Sequence, residues 1–171
     1  FDFYTLTHST ANIAPEYTVF DLKGNPLRVI EDNAGMKALQ EKYGWSPVSF
    51  FDFKTSEGVK LNGYMIKPAN FDDKKEYPVL MFVYGGPGSQ TVEDQWDPFN
   101  RWWFQMLAQQ GYIIVSVDNR GTGARGEEFK KMTYQQLGKY ETVDQMEAAR
   151  WLGEKPWVDA NRIGIWGWSY G

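Results

Sequence analysis

The sequence predicts an α/β fold with a mostly parallel sheet, and the prediction rests on two apolar runs and the helical patterns around them. YPVLMFVYGG (77–86) and GYIIVSVDNRG (111–121) lack polar alternation, which is typical of strands buried on both faces of a parallel sheet. One helical pattern lies between these runs, and a second precedes the short strand RIGIW (162–166). This alternation predicts parallel strands joined by right-handed crossovers.

The beginning of the chain has a different character and predicts a short β-rich segment followed by a helix. Turn residues, including Lys23-Gly24-Asn25-Pro26, separate three β-rich runs: FDFYTLTHST, EYTVFDL and LRVIED. Short strands with tight turns suit one blade or edge of a larger β assembly. A helix is predicted over 34–46. We therefore divide the chain into 1–45 and 46–171.

The second part contains a hairpin and two helices besides the buried strands. VSFFDFKTSEGVKLNGYMIKP (48–68) predicts two strands around the turn Ser56-Glu57-Gly58. Asp97 is a suitable N-cap and Pro98 fits a first helical position. The helix that follows is predicted to bury an apolar stripe of Phe99, Trp102, Trp103, Met106 and Leu107. The helix TVDQMEAARWL (142–152) is predicted to bury Val143, Met146, Ala149 and Leu152.

Composition excludes several classes of function. The 171 residues carry a net charge of -4 and no basic block, so a nucleic-acid partner is not expected. There is no cysteine and only one histidine, His8, which excludes disulfides, thiolate metal sites and any site with two imidazoles. We predict no metal and no cofactor. No apolar run reaches the roughly 20 residues of a membrane span, and the first residues do not form a signal peptide.

The strongest chemical signal is Gly167-Trp168-Ser169-Tyr170-Gly171, the G-x-S-x-G pattern of a nucleophile elbow. The turn from strand to helix is so sharp that the flanking positions need glycine, and the serine is left at the tip. The backbone N–H of Tyr170 then points at a developing oxyanion. The alternative is a serine in an ordinary tight turn. Because the motif follows a predicted buried strand, we predict Ser169 as a nucleophile within a partial α/β-hydrolase fold.

A second candidate group follows the first buried strand, at Tyr84-Gly85-Gly86-Pro87-Gly88. An α/β-hydrolase takes its second oxyanion donor from the loop at this place. The Tyr84 hydroxyl could supply that donor instead of a backbone N–H. The alternative is a core tyrosine before a Gly-Pro turn. The presence of the elbow favours the oxyanion role.

Other polar groups are weaker candidates. Gly121-Thr122-Gly123-Ala124-Arg125-Gly126 matches the dinucleotide pattern G-x-G-x-x-G. A dinucleotide site would also need an acidic residue at the end of the next strand, about 20 residues later, and none is predicted there. The simpler interpretation is a flexible loop whose Arg120 or Arg125 pairs with a carboxylate. Catalytic triads on this fold occur in the chain order serine, then acid, then histidine. The candidates His8, Asp118 and Asp144 all come before Ser169, so none of them fits the triad acid or the triad base. His8 is therefore predicted to be structural or at the surface.

Taken together, these motifs resemble the prolyl oligopeptidase family of serine peptidases, and most closely its dipeptidyl peptidase IV branch. Four stretches carry the resemblance: VYGGPGSQ (83–90), VDNRGTGARG (117–126), LGKYETVDQMEAARWL (137–152) and RIGIWGWSYG (162–171). PEYTVFDLKGNPLRVIEDN (15–33) resembles the last propeller strands and the link into the hydrolase domain. The resemblance thus covers nearly the whole chain.

The resemblance implies a peptidase that releases dipeptides from the free N-terminus of peptides, usually with proline or alanine in second position. It implies Ser169 as nucleophile, the Tyr170 N–H and the Tyr84 hydroxyl as oxyanion hole, and Trp168 as a residue that shapes the elbow. Relatives are often dimers and are usually periplasmic, secreted or membrane-anchored, which is analogy. Alternatives are an acylaminoacyl peptidase or oligopeptidase of the same family, an inactive hydrolase-fold module, or a nucleotide-binding protein that uses the glycine loop.

The resemblance also implies that several catalytic and substrate-binding residues of such enzymes lie outside residues 1–171. The triad Asp and His and the tyrosines of the proline pocket would lie beyond residue 171, and the glutamates that hold the substrate's amino terminus would lie in the propeller. We therefore expect residues 1–171 alone to be inactive, because Ser169 has no base. We also expect the folded unit to continue past residue 171 and the sheet in this chain to have an exposed edge.

Overall fold

A computed structural model of the chain, which describes residues 2–171, contains two β-sheets with helices packed on the larger one. The strands are β1 (Phe3–His8), β2 (Glu16–Asp21), β3 (Pro26–Glu31), β4 (Val48–Lys54), β5 (Lys60–Ile66), β6 (Tyr77–Val83), β7 (Ile113–Asp118) and β8 (Val158–Gly167). The helices are α1 (Ala34–Tyr43), α2 (Arg101–Gln109), α3 (Glu127–Lys131) and α4 (Lys139–Gly153). The predicted α/β class is confirmed, and α3 is the element that the sequence patterns missed.

The first sheet is a three-stranded antiparallel meander of β1, β2 and β3. The three predicted β-rich runs form its strands. The predicted turn is built by Asp21, whose Oδ1 accepts hydrogen bonds from the backbone N–H groups of Lys23 and Asn25 at 2.9 and 2.8 Å. Side chains of β1 and β3 are exposed along their whole length. Most of this sheet therefore contributes little to the core of the chain.

A helix and a tryptophan cluster join the two sheets. The predicted helix over 34–46 is observed as α1, and Gly44 ends it with a φ of 66°. Directly after this glycine, the Trp45 ring stacks on Trp96 at 5.5 Å and meets the edge of Trp102 at 5.0 Å. The chain is thereby fixed against α2 before the second sheet begins.

The second sheet has five strands in the order β4-β5-β7-β6-β8. β4 and β5 form the predicted hairpin, β5 pairs antiparallel with β7, and β6 is parallel to both β7 and β8. Every residue of β7 is buried, because helices cover both faces of the sheet at its centre. Ile113, Val115 and Val117 share a cluster with α4, whereas Ile114 packs with α2.

The predicted burial of the strand that leads to the elbow is wrong. β8 has only β6 beside it among the described residues, and Ile165 is 57% exposed while Trp166 is 37% exposed. The apolar run is real, but one edge of the strand has no neighbouring strand in residues 2–171. This matches the expectation of an exposed sheet edge.

The predicted start and the predicted stripe of the first helix need correction. Asp97 accepts hydrogen bonds from the backbone N–H groups of Phe99 and Asn100, so it shapes a turn before α2 and does not cap the helix itself. Phe99 is 88% exposed. The buried face of α2 consists of Arg101, Phe104, Gln105 and Ala108. The helix turns this face to the sheet because Phe104 and Ala108 fit against Ile66 and Ile114.

The stripe predicted for α4 is also only partly correct. Leu152 is fully buried, but Met146 is 52% exposed. The buried face is largely polar in its first two turns, where it carries Glu141, Asp144 and Gln145. Ala148 and Leu152 continue this face into the core.

Among residues 2–171, no helix has the length and apolar character needed to cross a bilayer.

Candidate active site

Ser169 sits in a backbone conformation that a nucleophile elbow requires. It lies two residues after β8 and is exposed, with a φ of 59°, which is unusual for a residue other than glycine. A Cβ on Gly167 would lie 2.4 Å from the carbonyl carbon of Gly171, and a Cβ on Gly171 would lie 2.0 Å from the Val83 carbonyl oxygen. The two glycines are therefore required by space, and the strained residue between them presents its hydroxyl outward.

Tyr84 and Tyr170 come together beside this turn. Tyr84 directly follows β6, the strand beside β8, so the two loops leave the same edge of the sheet. The two tyrosine rings lie 6.3 Å apart between centroids, at an angle of 40°. Gly86 lies between them, since a Cβ there would be 2.8 Å from the Tyr84 ring and 3.3 Å from the Tyr170 ring. Both side chains are more than a third exposed.

The side chain of Tyr170 is held by an acidic residue that the sequence patterns did not single out. Its hydroxyl donates to Glu141 Oε1 at 2.5 Å. Partial burial, this hydrogen bond and the negative charge of Glu141 together raise the pKa of Tyr170 to about 12. The phenol therefore remains a protonated donor at physiological pH. The sequence prediction ends short of this residue, because the predicted helix begins at residue 142, whereas the observed α4 begins at Lys139 and has Glu141 in its first turn.

A cavity of about 630 Å³ opens next to the two tyrosines, between α4 and β8. Its lining is mainly apolar and includes Met81, Val83, Met146, Ile165, Tyr84 and Tyr170. Trp168 does not belong to this lining, and its side chain is 76% exposed. The structure thus gathers Ser169, Tyr170 and Tyr84 at one place and directs Trp168 into solvent.

The loop after β7 lies under the Tyr84 loop and is held by buried side chains. Asn119 is fully buried, and its amide donates to the carbonyl oxygen of Gly85 at 3.0 Å. Gln145 donates in turn to Asn119 Oδ1 at 3.1 Å and to the Val117 carbonyl oxygen at 2.9 Å. A Cβ on Gly85 would lie 2.5 Å from Asn119 Oδ1, so the glycine allows this close contact.

Arg120, the residue after Asn119, forms a buried ion pair with Asp144. Its Nη2 lies 2.7 Å from Asp144 Oδ1, and its Nε contacts both oxygens of the same carboxylate. Its Nη1 reaches Glu57 at 2.7 Å. The predicted pairing of an arginine from this loop with a carboxylate is confirmed for Arg120. Asp144 is thus occupied as the arginine's partner.

The glycine loop that resembles a dinucleotide motif packs against the Tyr84 loop. The Gly88 N–H donates to the Gly121 carbonyl oxygen at 3.0 Å, and the Gly123 N–H donates to the Ser89 carbonyl oxygen at 2.7 Å. Gly121 and Thr122 are buried. The helix that follows, α3, has five residues. The loop therefore uses its backbone donors on the protein itself, which argues against a phosphate site.

The remaining candidates lie outside the elbow. His8 is an exposed residue at the end of β1, opposite Glu16 in the register. Asp118 accepts hydrogen bonds from the backbone of Thr91 and Val92, which fixes the chain that follows the Tyr84 loop. Across residues 2–171, acidic and histidine side chains do not cluster in groups of three that could hold a metal ion.

Comparison with known proteins defines the class of protein to which the chain belongs. A profile described as the prolyl oligopeptidase family matches residues 98–171. The chain is 38% identical to a probable dipeptidyl peptidase 4 of Emericella nidulans over 171 residues, which is 99% of this chain and 22% of that protein. It is 41% identical over 147 residues to a probable dipeptidyl-aminopeptidase B of Trichophyton verrucosum, covering 86% of this chain and 16% of that protein. The chain thus spans about a fifth of the length of these curated relatives.

Solved structures agree with this class. The crystal structure of Porphyromonas gingivalis dipeptidyl peptidase 4 superposes with a TM-score of 0.91 and 45% identity, over 99% of this chain and 24% of that one. A putative dipeptidyl aminopeptidase IV from Bacteroides ovatus superposes with a TM-score of 0.84 and 32% identity, with the same coverage. The chain belongs to the prolyl oligopeptidase family. Within that family, it belongs to the dipeptidyl peptidase IV branch.

Proposed function

We propose that the protein carrying this chain is a serine peptidase that releases N-terminal dipeptides, Xaa-Pro or Xaa-Ala, through an acyl-enzyme on Ser169. The observation that carries the proposal is the conformation of Ser169, an exposed serine with a φ of 59° between two glycines that cannot accept a Cβ. The names of the relatives, which include dipeptidyl peptidase 4 and dipeptidyl-aminopeptidase B, support the choice of a dipeptide as the product.

In the proposed reaction, Ser169 Oγ attacks the carbonyl carbon of the scissile peptide bond. The hydroxyl proton passes to a histidine base, which follows the serine in the chain order of this fold. The carbonyl oxygen becomes an oxyanion that accepts hydrogen bonds from the Tyr170 N–H and the Tyr84 hydroxyl. The C–N bond then breaks, the leaving amine takes the proton, and water hydrolyses the remaining ester to release the dipeptide.

The geometry around the elbow supports these assignments. Among residues 2–171, the Tyr170 N–H donates to no other group and is available to a ligand. Tyr84 emerges from the neighbouring parallel strand and its ring lies close to that of Tyr170. Trp168, with its large exposed face, is proposed to shape the approach to the elbow from the solvent side.

We further propose that 46–171 is the first part of an α/β-hydrolase domain and that 1–45 is the end of a β-propeller with its linker. The mixed sheet with helices on both faces and the serine at the carboxyl end of β8 support the first assignment. The separate antiparallel meander, joined through α1 and Trp45, supports the second. A homodimer of the full-length protein is proposed by analogy with the family.

The proposal is tested by labelling the full-length protein with a fluorophosphonate and by assaying release of the dye from Gly-Pro-arylamide. Ser169→Ala should lose both signals. Ser56→Ala is the matched control, because Ser56 lies in the exposed hairpin turn after β4 and should leave both unchanged. Labelling without turnover would support a serine hydrolase but would contradict the assignment as a dipeptidyl peptidase.

A blocked substrate separates the dipeptidyl activity from the related alternatives. The proposal expects acetyl-Gly-Pro-arylamide to be cleaved far more slowly than the free amine, since the enzyme would recognise the substrate's amino terminus. Faster cleavage of the blocked substrate would favour an acylaminoacyl peptidase or oligopeptidase. Absence of fluorophosphonate labelling would favour an inactive hydrolase-fold module.

A further inference from the structure

Three polar residues on one face of α4 bind two of the loops at this edge of the sheet, the turn that contains Ser169 and the loop after β7. Glu141 holds Tyr170, Asp144 holds Arg120 after β7, and Gln145 holds Asn119, which reaches the loop of Tyr84. Spacings of three and four residues put these side chains on the same helix face. All three are buried, although a helix usually turns such residues to solvent. A single helix therefore supports both of the proposed oxyanion donors from below.

Glu141 has the most direct connection with the elbow. Glu141 is only 8% exposed. Its Oε1 lies 2.5 Å from the hydroxyl of Tyr170, the residue that follows the proposed nucleophile. Its Oε2 is buried and has no hydrogen-bond partner within residues 2–171. Burial of a carboxylate is costly, so a contact kept at that cost is a candidate for function.

We propose that Glu141 is a positioning residue for the elbow, which fixes the Tyr170 side chain and through it the backbone N–H that stabilises the oxyanion. This inference rests on the proposed serine peptidase function. Gly171 fixes one end of the turn by close contact with Val83, and the phenol of Tyr170 fixes it from the side. Releasing the phenol leaves the Tyr170 peptide free to rotate, and a displaced donor is a poor ligand for an oxyanion.

The carboxylate is expected to act as a hydrogen-bond acceptor and to need no charge for this role. Glutamine has the same length and offers a carboxamide oxygen to the Tyr170 hydroxyl, whereas alanine offers none. Glu147 provides a control on the same helix, because its carboxylate accepts from the Ser56 N–H and Arg150 and lies away from the elbow. Tyr170→Phe removes the donor of the same contact.

The experiment compares E141A, E141Q, Y170F, the E141A/Y170F double variant and E147Q in the full-length protein. We measure kcat and KM for Gly-Pro-arylamide, the rate of fluorophosphonate labelling, and the melting temperature. The titration of Tyr170 is read from two absorbance differences, wild type minus Y170F and E141A minus E141A/Y170F. We expect E141A to lower kcat about 10- to 100-fold with little change in KM, because the loss falls on the transition state.

The other variants sharpen this expectation. E141Q should stay within about threefold of wild-type kcat, E147Q should equal wild type, and the double variant should be no slower than the slower single variant. The titration of Tyr170 should move from about 12 towards an ordinary phenol in E141A, whatever the activity. Unchanged kcat and labelling in folded E141A would overturn the positioning role alone. A wild-type protein that neither labels nor turns over would instead overturn the proposed function, and this inference with it.

Discussion

Two glycine-rich turns follow parallel strands of the same sheet, and they use glycine for opposite purposes. At the elbow after β8, glycines at 167 and 171 allow a turn that leaves Ser169 exposed in a strained conformation. In the loop after β7, glycines at 121 and 123 allow close packing against the Tyr84 loop, and the backbone donors are used internally. A glycine motif therefore indicates chemistry only where it leaves a reactive atom unpaired at the end of a strand.

The largest contrast is expected between alanine substitutions in the two turns. Gly171→Ala would put a Cβ 2.0 Å from the Val83 carbonyl oxygen, and backbone atoms must shift. We expect loss of fluorophosphonate labelling and destabilisation by about 3 kcal/mol or more. Gly126→Ala, at the end of the glycine loop, meets nothing within 4 Å and has only its φ of 88° to oppose it. It should cost about 1–2 kcal/mol and leave labelling intact.

Denaturant unfolding and labelling of the two variants provide the measurement. Equal loss of labelling in both would mean that the glycine loop takes part in the site, which contradicts the comparison. Normal labelling in Gly171→Ala would mean that the elbow tolerates a wider turn than the structure shows.

The ion pair beneath the glycine loop should have the next largest effect. Asp144 is fully buried and Arg120 nearly so, and removing one partner leaves a buried charge uncompensated. Asp144→Ala is expected to lower the free energy of unfolding by about 3–5 kcal/mol. Glu57→Gln, which removes the exposed partner of the same arginine, should cost about 0–1 kcal/mol. Similar losses in both variants, measured by denaturant unfolding, would show that Arg120 does not depend on Asp144.

A smaller effect is expected at alkaline pH in the sheet beneath both turns. Burial on β5 raises the pKa of Tyr64 well above its ordinary value, and the charges of Asp97 and Asp118 raise it further. The unfolded chain ionises this phenol near pH 10, so stability is present below that pH and falls as the pH rises above it. Relative to Tyr64→Phe, the wild type should lose about 1 kcal/mol between pH 9 and 11. A pH-independent difference between the two proteins would contradict this assignment.

The smallest effect is expected at His8, in the antiparallel sheet away from both turns. His8→Ala should change kcat by less than about twofold, because this residue precedes the serine and lies exposed on β1. Steady-state kinetics of the full-length variant provide the measurement. A loss of several orders of magnitude would identify His8 as the base and would overturn the chain order assumed for the triad.

The elements and the sharp turn at Ser169 could be predicted from the sequence because their signals are local. Apolar runs located β6 and β7, turn residues located the meander and the hairpin, and the G-x-S-x-G motif located Ser169. Each of these signals depends on residues close together in the chain.

The buried faces of the helices could not be predicted in the same way. The periodicity of α4 favoured Met146 as a core residue, whereas Glu141 and Gln145 are buried because their partners come from loops distant in sequence. The stripe predicted for the first helix likewise includes Phe99, although α2 begins two residues later, at Arg101. The exposure of Ile165 depends on which strands lie beside β8, and that information is not local either.

The most direct test of the central claim is to locate the fluorophosphonate adduct in the full-length protein by peptide mapping with mass spectrometry. The account predicts a single adduct on the peptide that contains Ser169, present in wild type and in Gly126→Ala and absent from Ser169→Ala. An adduct on another serine, or no adduct in a folded wild-type protein, would contradict the assignment of this turn as a nucleophile elbow.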